Sequence, residues 1–203
     1  MIENIIFDMG GVLIDFDPHG TMRKVFSEQD AVLAEQTLFY SGLWNNLDLG
    51  TMRFPQIARA ACEKLPVRMH EPLKALLDRW WAQEMPPFPH MEAFVRELKA
   101  NGYRTYLCSN TSADIYDYFD TIPALGLMDG ILASCDVGVI KPDARLYEAL
   151  YRKFDLRPQT CFFIDDMPRN IEGAARTGMI GHCFADKDLD RLKDALRSHG
   201  VRI

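Results

Sequence analysis

The chain has 203 residues, of which 48% are hydrophobic and 26% are charged, and its formal net charge is −6. This balance is typical of a globular protein and argues against disorder, because a disordered chain has too few apolar residues to build a core. A nucleic-acid-binding protein needs a basic face, and the sequence contains no cluster of Lys and Arg.

The cysteines and the N-terminal segment bear on location. The five cysteines form neither a CxxC pair nor a metal-finger spacing, which favours reduced thiols in the cytoplasm. The apolar N-terminal segment is interrupted by Glu3, Asp8 and Asp15 and lacks a basic start. We therefore expect neither a signal peptide nor a membrane span, and no nucleic-acid or membrane partner.

The first predicted element is a strand. Residues 4–7 are an apolar run that ends at Asp8, and Gly10 and Gly11 follow. A short apolar run before two glycines predicts a buried strand that stops at a tight turn.

Residues 17–87 have a different pattern, because apolar residues recur there at helical spacing and strand-like alternation is hard to find. The three stripes are Met22/Val25/Phe26, Phe54/Ile57/Ala58/Ala61 and Leu73/Leu76/Leu77/Trp80. We predict an all-helical cap subdomain over 17–87, inserted into an α/β core formed by 1–16 and 88–203.

From Pro89 onward, helices and strands alternate. The predicted strands are 103–108, 130–133, 161–164 and 179–184, and the predicted helices are centred on 91–98, 143–154, 171–176 and 189–196. Such alternation predicts an α/β fold with a doubly wound, Rossmann-like parallel sheet.

In an open α/β sheet, ligands bind beyond the carboxyl ends of the strands. Three predicted strands here end at Asp8, at Ser109-Asn110 and at Asp165-Asp166. Adjacent carboxylates repel each other unless a positive charge holds them, and oxygen ligands without His or Cys favour Mg²⁺. Lys141 precedes Pro142, which restricts it to an extended conformation, and it is the candidate cation for this edge.

Four segments carry a family resemblance, and they occur in the family's order along the chain. They are IIFDMGGVLIDFD, YLCSNTS, GVIKPDARLYEAL and CFFIDDMPRNIEGAARTG. Together they resemble the haloacid dehalogenase (HAD) superfamily, and within it the phosphatases with a helical cap after the first strand. The likeness extends to bacterial sugar-phosphate phosphatases, such as α-D-glucose-1-phosphate phosphatase, and to the N-terminal phosphatase domain of soluble epoxide hydrolases.

The resemblance implies a phosphatase that hydrolyses small phosphate monoesters, with sugar phosphates as the expected substrates, through an aspartyl-phosphate. Asp8 would be the nucleophile, Ser109 and Asn110 would bind the phosphoryl group, and Lys141 would steady both the phosphate and Asp8. The implied Mg²⁺ ligands are Asp8, the backbone carbonyl of Gly10, Asp166 and, directly or through a water, Asp165. The implied partner is a small phosphorylated metabolite, for an enzyme that is a monomer or a dimer.

One position departs from the family pattern. Most phosphatases of this superfamily have a second Asp two residues after the nucleophile, where it acts as general acid and base, and this sequence has Gly10. Proton transfer of that kind typically contributes about 10²–10⁴-fold to the rate. Asp15 and Asp17 are the nearest candidates to replace it, and otherwise we expect slow turnover or a substrate with a good leaving group.

Two alternatives remain open. A 2-haloacid dehalogenase needs no metal, so the Asp165-Asp166 pair argues against it. A catalytically weak relative that only binds a phosphorylated ligand has Gly10 in its favour and the complete set of Asp8, Lys141 and paired acids against it.

Overall fold

The computed structural model describes residues 1–78 and 85–203. Its centre is a sheet of five parallel strands in the order β3-β2-β1-β4-β5. The strands are β1 (Asn4–Phe7), β2 (Arg104–Ser109), β3 (Gly130–Ala133), β4 (Cys161–Asp165) and β5 (Ile180–Cys183). The predicted doubly wound parallel sheet is confirmed.

Helices surround this sheet and form a second region between β1 and β2. In chain order they are α1 (Pro18–Val25), α2 (Glu28–Glu35), α3 (Asn45–Asp48), α4 (Phe54–Cys62), α5 (His70–Asp78), α6 (Pro89–Ala100), α7 (Ile115–Tyr118), α8 (Ser134–Val137), α9 (Ala144–Phe154), α10 (Pro168–Arg176) and α11 (Leu189–Ser198). A π-helical segment, Gln36–Tyr40, follows α2, and 3₁₀ turns occur at Val67–Met69, Phe119–Thr121, Leu125–Leu127 and Pro158–Thr160.

Side chains alternate across the sheet and bury both of its faces. Ile5 and Phe7 contribute to one apolar cluster together with residues of α6 and α11. Ile6 and Phe163 point to the other face, where residues of α9 and α10 cover them. A sheet buried on both faces explains why its strands read as continuous apolar runs in the sequence.

Helices α1–α5 pack around a separate apolar cluster. The predicted stripes fall on α1, α4 and α5, although Val25 is exposed and Trp80 lies outside the described residues. Helix α2 was not predicted, because its buried residues are the small Ala31 and Ala34, which give a weak apolar stripe. The domain boundaries at 17 and 87 stay a prediction.

Two chain segments join the helical region to the sheet, and they run side by side. The N–H of Asp15 donates to the carbonyl of Pro86 at 2.8 Å, and the N–H of Phe88 donates to the carbonyl of Leu13 at 2.9 Å. The helical region therefore enters and leaves the sheet at one point.

The direction of winding reverses between β1 and β4, because β2 and β3 lie on one side of β1 while β4 and β5 lie on the other. A crevice forms at such a reversal, beyond the carboxyl ends of the strands. Asp8 and Asp165-Asp166 are the residues at those ends. Within the described part of the chain, no helix is long and apolar enough to cross a membrane.

Candidate active site

Asp8 lies at the carboxyl end of β1, where the sheet holds its backbone rigidly. Its N–H donates to the carbonyl of Ile164 in the neighbouring strand at 2.8 Å. Its Oδ1 accepts from the N–H of Met9 at 2.7 Å and pairs with Lys141 Nζ at 2.8 Å. The side chain is therefore oriented by a strand, a backbone N–H and a buried cation.

Lys141 is buried, with 2% of its surface exposed. Its ammonium group contacts Asp8 at 2.8 Å and Asp165 Oδ2 at 2.6 Å. Helix α10 packs tightly against Pro142, the residue after Lys141, because a Cβ on Gly173 would lie 2.8 Å from the Cβ of Pro142. A fully buried ammonium is stable only when it is paired and hydrogen-bonded, and both conditions are met here.

The side chain of Asn110 holds the backbone of Lys141. Its Oδ1 accepts from Lys141 N–H at 2.7 Å, and its Nδ2 donates to the Lys141 carbonyl at 3.2 Å. These two hydrogen bonds position the lysine backbone. Asn110 also lines the cavity described below, and its Nδ2 has a second N–H. Ser109, one residue earlier, is buried and hydrogen-bonds the Asp8 carboxylate.

Asp165 is fully buried and its carboxylate is saturated with donors. Oδ1 accepts from Met167 N–H at 2.8 Å and from Asn170 Nδ2 at 2.9 Å, while Oδ2 accepts from Lys141 Nζ and, at 3.1 Å, from Asn170. Asn170 is not an N-cap, because α10 begins two residues earlier at Pro168. It supports Asp165 instead.

Asp166 is less buried, and no other residue of the described chain hydrogen-bonds its carboxylate. It lies against Gly11, where a Cβ would come within 2.5 Å of Asp166 Oδ2. One carboxylate oxygen from each of Asp8, Asp165 and Asp166 lies within 4.8 Å of the others. This spacing and the all-oxygen donor set fit a hard divalent cation, with Asp166 as the carboxylate still free to bind one.

The low-dielectric setting changes the protonation of these groups. Burial raises the pKa of Asp8 to about 7, and Asp165 adds to the rise, while Lys141 and Ser109 oppose it. Burial raises the pKa of Asp166 as well, and the charge of Asp165 acts in the same direction. Although burial alone lowers the pKa of Lys141, the Asp8 and Asp165 carboxylates raise it above its usual value. The carboxylates therefore need added positive charge to be ionised together.

A cavity of about 250 Å³ lies above Asp8. Its floor contains the site residues of the sheet edge, including Gly10, Ser109 and Asp166, and Arg169 also lines it. The side chains that reach it from the helical region and its linkers are mostly apolar: Ile14, Phe16, Trp44, Leu47, Phe54 and Met85, with Asp48 among them. The site therefore combines a charged floor with a largely apolar wall.

The structure brings the predicted site residues together, with the exception of the two candidates for the missing acid. Asp15 pairs with Lys187 at 2.9 Å, and Asp17 caps α1 through the N–H of Gly20 at 2.9 Å. Neither lines the cavity. Sequence reasoning missed Asp48, since it lies in a helix of four residues with no motif around it. It also missed the support that Asn110 and Asn170 give to Lys141 and Asp165.

Comparison with known proteins gives a family match over most of the chain. The family model of the haloacid dehalogenase-like hydrolases matches residues 2–178. The chain is 28% identical over 182 residues to the sesquiterpene phosphatase astK of Aspergillus oryzae, and the alignment covers 89% of each protein. Some other curated relatives are longer proteins, of which this chain spans 16% to 47%.

Two solved structures share the fold. A HAD family enzyme of Bacteroides thetaiotaomicron, bt-2542, in complex with magnesium and inorganic phosphate, matches with a TM-score of 0.70 and 19% identity, covering 90% of this chain and 93% of that one. The L-2-haloacid dehalogenase of Xanthobacter autotrophicus matches with a TM-score of 0.65 and 17% identity, covering 89% and 76%. An enzyme bound to magnesium and inorganic phosphate and a haloacid dehalogenase thus share this fold.

Proposed function

Because this chain belongs to the haloacid dehalogenase-like hydrolase family, we propose that it is a magnesium-dependent phosphatase that hydrolyses small phosphate monoesters through a phosphorylated Asp8. Its relatives include phosphatases, and it is a hydrolase. One observation carries the proposal: Asp8, Lys141 and the pair Asp165-Asp166 meet below a cavity at the reversal point of the sheet.

In the proposed reaction, Asp8 attacks the phosphorus of the substrate with a carboxylate oxygen. Two anions approach each other in this step, so the site must supply positive charge. Lys141 is held within 2.8 Å of Asp8, which suits it to stabilise both the carboxylate and a phosphate oxygen. The covalent intermediate divides one difficult hydrolysis into two easier displacements.

Ser109 is proposed to donate a hydrogen bond from its hydroxyl to the transferring phosphoryl group, since it lines the cavity and already contacts Asp8. The sequence also predicted a phosphate contact for Asn110. The hydrogen bonds of its side chain to Lys141 support a second role for the amide, which is to position that lysine.

For Mg²⁺ we propose Asp8, the backbone carbonyl of Gly10 and Asp166 as direct ligands. Bound there, the ion would neutralise charge on the phosphate oxygens. Asp165 keeps its four hydrogen bonds and acts by fixing Lys141 and Asn170. The acidic cluster of Asp8, Asp165 and Asp166 supports this arrangement.

Helices α1–α5 are proposed to act as a cap that excludes water and selects the substrate. The cavity beneath these helices has a volume of about 250 Å³, which has room for a small phosphate monoester. The sequence predicted a sugar phosphate as the substrate. The apolar wall formed by Phe16, Trp44 and Phe54 favours an ester whose alcohol has apolar surface.

The test is phosphate release from p-nitrophenyl phosphate and from a panel of sugar and alkyl phosphates, with Mg²⁺ and with excess chelator. We expect turnover that needs the metal, and Asp8→Asn should abolish it while the fold persists in circular dichroism. Asp17→Asn is the matched control, because Asn also caps helices well, and it should retain full activity.

Other results of these assays would support a metal-free mechanism, a dehalogenase or a protein that only binds ligands. Turnover that survives chelation would remove the metal from the mechanism. Halide release from 2-haloacids, without phosphatase activity, would support the dehalogenase chemistry of the structural neighbour. Phosphate binding without turnover of any ester would support a relative that only binds ligands.

The proposed location of the enzyme is the cytoplasm. Its proposed partner is a small phosphorylated metabolite, and its proposed assembly is a monomer or a dimer.

A further inference from the structure

When the ester P–O bond breaks, the leaving group departs as an alkoxide, which needs a proton to become an alcohol. The usual donor position holds Gly10, and Asp15 and Asp17 are engaged elsewhere. Among the described residues, the carboxylates lining the cavity are Asp8, Asp166 and Asp48. The first two belong to the proposed nucleophile and metal set, which leaves Asp48 without a role.

Asp48 lies at the end of helix α3, and 9% of its surface is exposed. In the described part of the chain, nothing hydrogen-bonds its carboxylate. The side chain is close enough to two cavity residues for their charges to interact, because Lys141 affects its ionisation and it affects that of Tyr118. Asp48 is thus a largely buried acid that lines the cavity, and a carboxyl group with a perturbed pKa in a cleft is a candidate functional group.

The backbone at Asp48 is hydrogen-bonded to the α/β core beside the floor of the cavity. The hydroxyl of Ser134 donates to the Asp48 carbonyl at 2.5 Å and accepts from the N–H of Thr111 at 3.0 Å. Two residues after Asp48, Gly50 packs so closely on α8 that a Cβ would lie 2.9 Å from the carbonyl oxygen of Cys135. Asp48 is thus held at a fixed place relative to Ser109 and Asn110.

The protonation of Asp48 suits proton transfer near neutral pH. Burial raises its pKa to about 7, and the charge of Lys141 only partly offsets this effect. A general acid or base is most effective when its pKa lies near the working pH, since both protonation states are then accessible.

We propose that Asp48 is the general acid and base of this enzyme and takes the place of the carboxylate absent at Gly10. The inference rests on the proposed phosphatase function. When Asp8 attacks phosphorus and the ester P–O bond breaks, protonated Asp48 gives its proton to the leaving oxygen. The products of this step are the alcohol, phosphorylated Asp8 and ionised Asp48.

The second step restores the enzyme. Ionised Asp48 takes a proton from a water molecule as the water oxygen attacks the phosphorus of phosphorylated Asp8. The bond between phosphorus and Asp8 breaks, which releases inorganic phosphate and leaves Asp8 ionised and Asp48 protonated. One water is consumed per ester, and all protons are accounted for.

Asp48→Asn tests the proposal with two substrates. p-Nitrophenolate leaves without a proton, whereas the alkoxide of butyl phosphate cannot. We expect kcat/KM to fall by about 10²-fold or more for butyl phosphate and by less than about threefold for p-nitrophenyl phosphate. The variant should also release a burst of one equivalent of p-nitrophenol, since hydrolysis of phosphorylated Asp8 becomes slow.

Asp17→Asn is again the control and should leave both substrates and the burst unchanged. An equal fall of kcat/KM for the two substrates would mean that Asp48 only shapes the cavity, and no fall for either would exclude it from catalysis. Both outcomes overturn the inference and leave the phosphatase function intact. A wild-type enzyme that turns over neither ester would instead refute the proposed function itself.

A measurement on the wild type keeps the proposal testable if Asp48→Asn does not fold. Across a series of substituted phenyl phosphates, protonation of the leaving group makes kcat/KM nearly independent of the pKa of the phenol. We expect that shallow dependence. A steep rise of kcat/KM with falling phenol pKa would show that no proton is donated, and would contradict the role of Asp48.

Discussion

Gly11 shows how tightly one backbone position constrains this site. Its φ is +70°, a left-handed conformation that glycine adopts easily. The same residue faces Asp166, whose Oδ2 would lie 2.5 Å from an added Cβ. Both the turn after β1 and the place of Asp166 therefore depend on the missing side chain.

Gly11→Ala should weaken Mg²⁺ binding and the fold together. The left-handed conformation costs a non-glycine residue about 1–2 kcal/mol, and the methyl group would also displace Asp166. Urea unfolding and a calorimetric Mg²⁺ titration measure the two effects. Gly102→Ala is the control, because Gly102 has a φ of +87° and nothing lies within 4 Å of an added Cβ, so the variant has the backbone strain alone. Unchanged Mg²⁺ affinity in Gly11→Ala would contradict the assignment of Asp166.

Asp48 should also make the free energy of unfolding depend on pH. Its pKa is raised from 3.8 to about 7 by burial, although Lys141 lowers it. Between these values the folded state holds a proton that the unfolded chain has released, so this contribution to stability falls as the pH rises through that window.

Asp48→Asn removes this dependence. Relative to wild type, the variant should gain about 3 kcal/mol in unfolding free energy between about pH 5 and about pH 8, at about 1.4 kcal/mol per unit of pKa. Urea unfolding in chelator, at both pH values, measures the gain. Asp17→Asn should show none. A gain absent from Asp48→Asn would mean that its carboxyl is hydrated, and would weaken its assignment as a proton donor.

The segment after β2 connects two elements of the site. Asn110 follows the strand directly, and its amide holds the backbone of Lys141, which lies 31 positions further along the chain. Strand β2 thus positions both Ser109 and the buried lysine.

Asn110→Ala would leave the Lys141 N–H and carbonyl without these partners. A buried unsatisfied group costs about 1–3 kcal/mol, so we expect a loss of stability in that range and a fall in kcat of at least about tenfold. Thermal unfolding and steady-state kinetics measure both. Asn101→Ala is the control, since Asn101 donates to the Glu97 carbonyl at the surface. Lost activity with full stability would favour a direct phosphate contact for Asn110.

The protein as a whole gathers three carboxylates and one ammonium group at the reversal point of its sheet. Burial and the charge of Asp165 raise the pKa of Asp166, which means that the ionised pair is unfavourable without a cation. The folded state should therefore be stabilised by Mg²⁺, because the unfolded chain has no such site.

Mg²⁺ should reverse which of the two proteins, wild type or Asp166→Asn, has the higher melting temperature. In chelator the variant should melt at the higher temperature, because it lacks one of the repelling charges. At a Mg²⁺ concentration of 100 times the dissociation constant, wild type should gain about 2.7 kcal/mol and the variant little. Ca²⁺ and Mg²⁺ at equal concentration test the choice of ion. An equal shift of both proteins would place the ion elsewhere.

Local patterns were enough to predict the α/β fold and the elements of the sheet. The strand at Gly130–Ala133 and the first strand at Asn4–Phe7 have the predicted bounds, because runs buried on both sides appear as apolar sequence. The rule that ligands bind at strand ends then placed Asp8, Ser109 and Asp165-Asp166 at one edge without coordinates.

Other features depend on contacts between distant residues, which local patterns do not record. No feature around Asp48 indicates that Ser134, 86 positions away, fastens it over the cavity. The two hydrogen bonds of Asn110 and the saturation of Asp165 are also invisible in the sequence. Periodicity reports which side of an element is buried, whereas the partner across a cavity is set by how the helical region packs on the sheet.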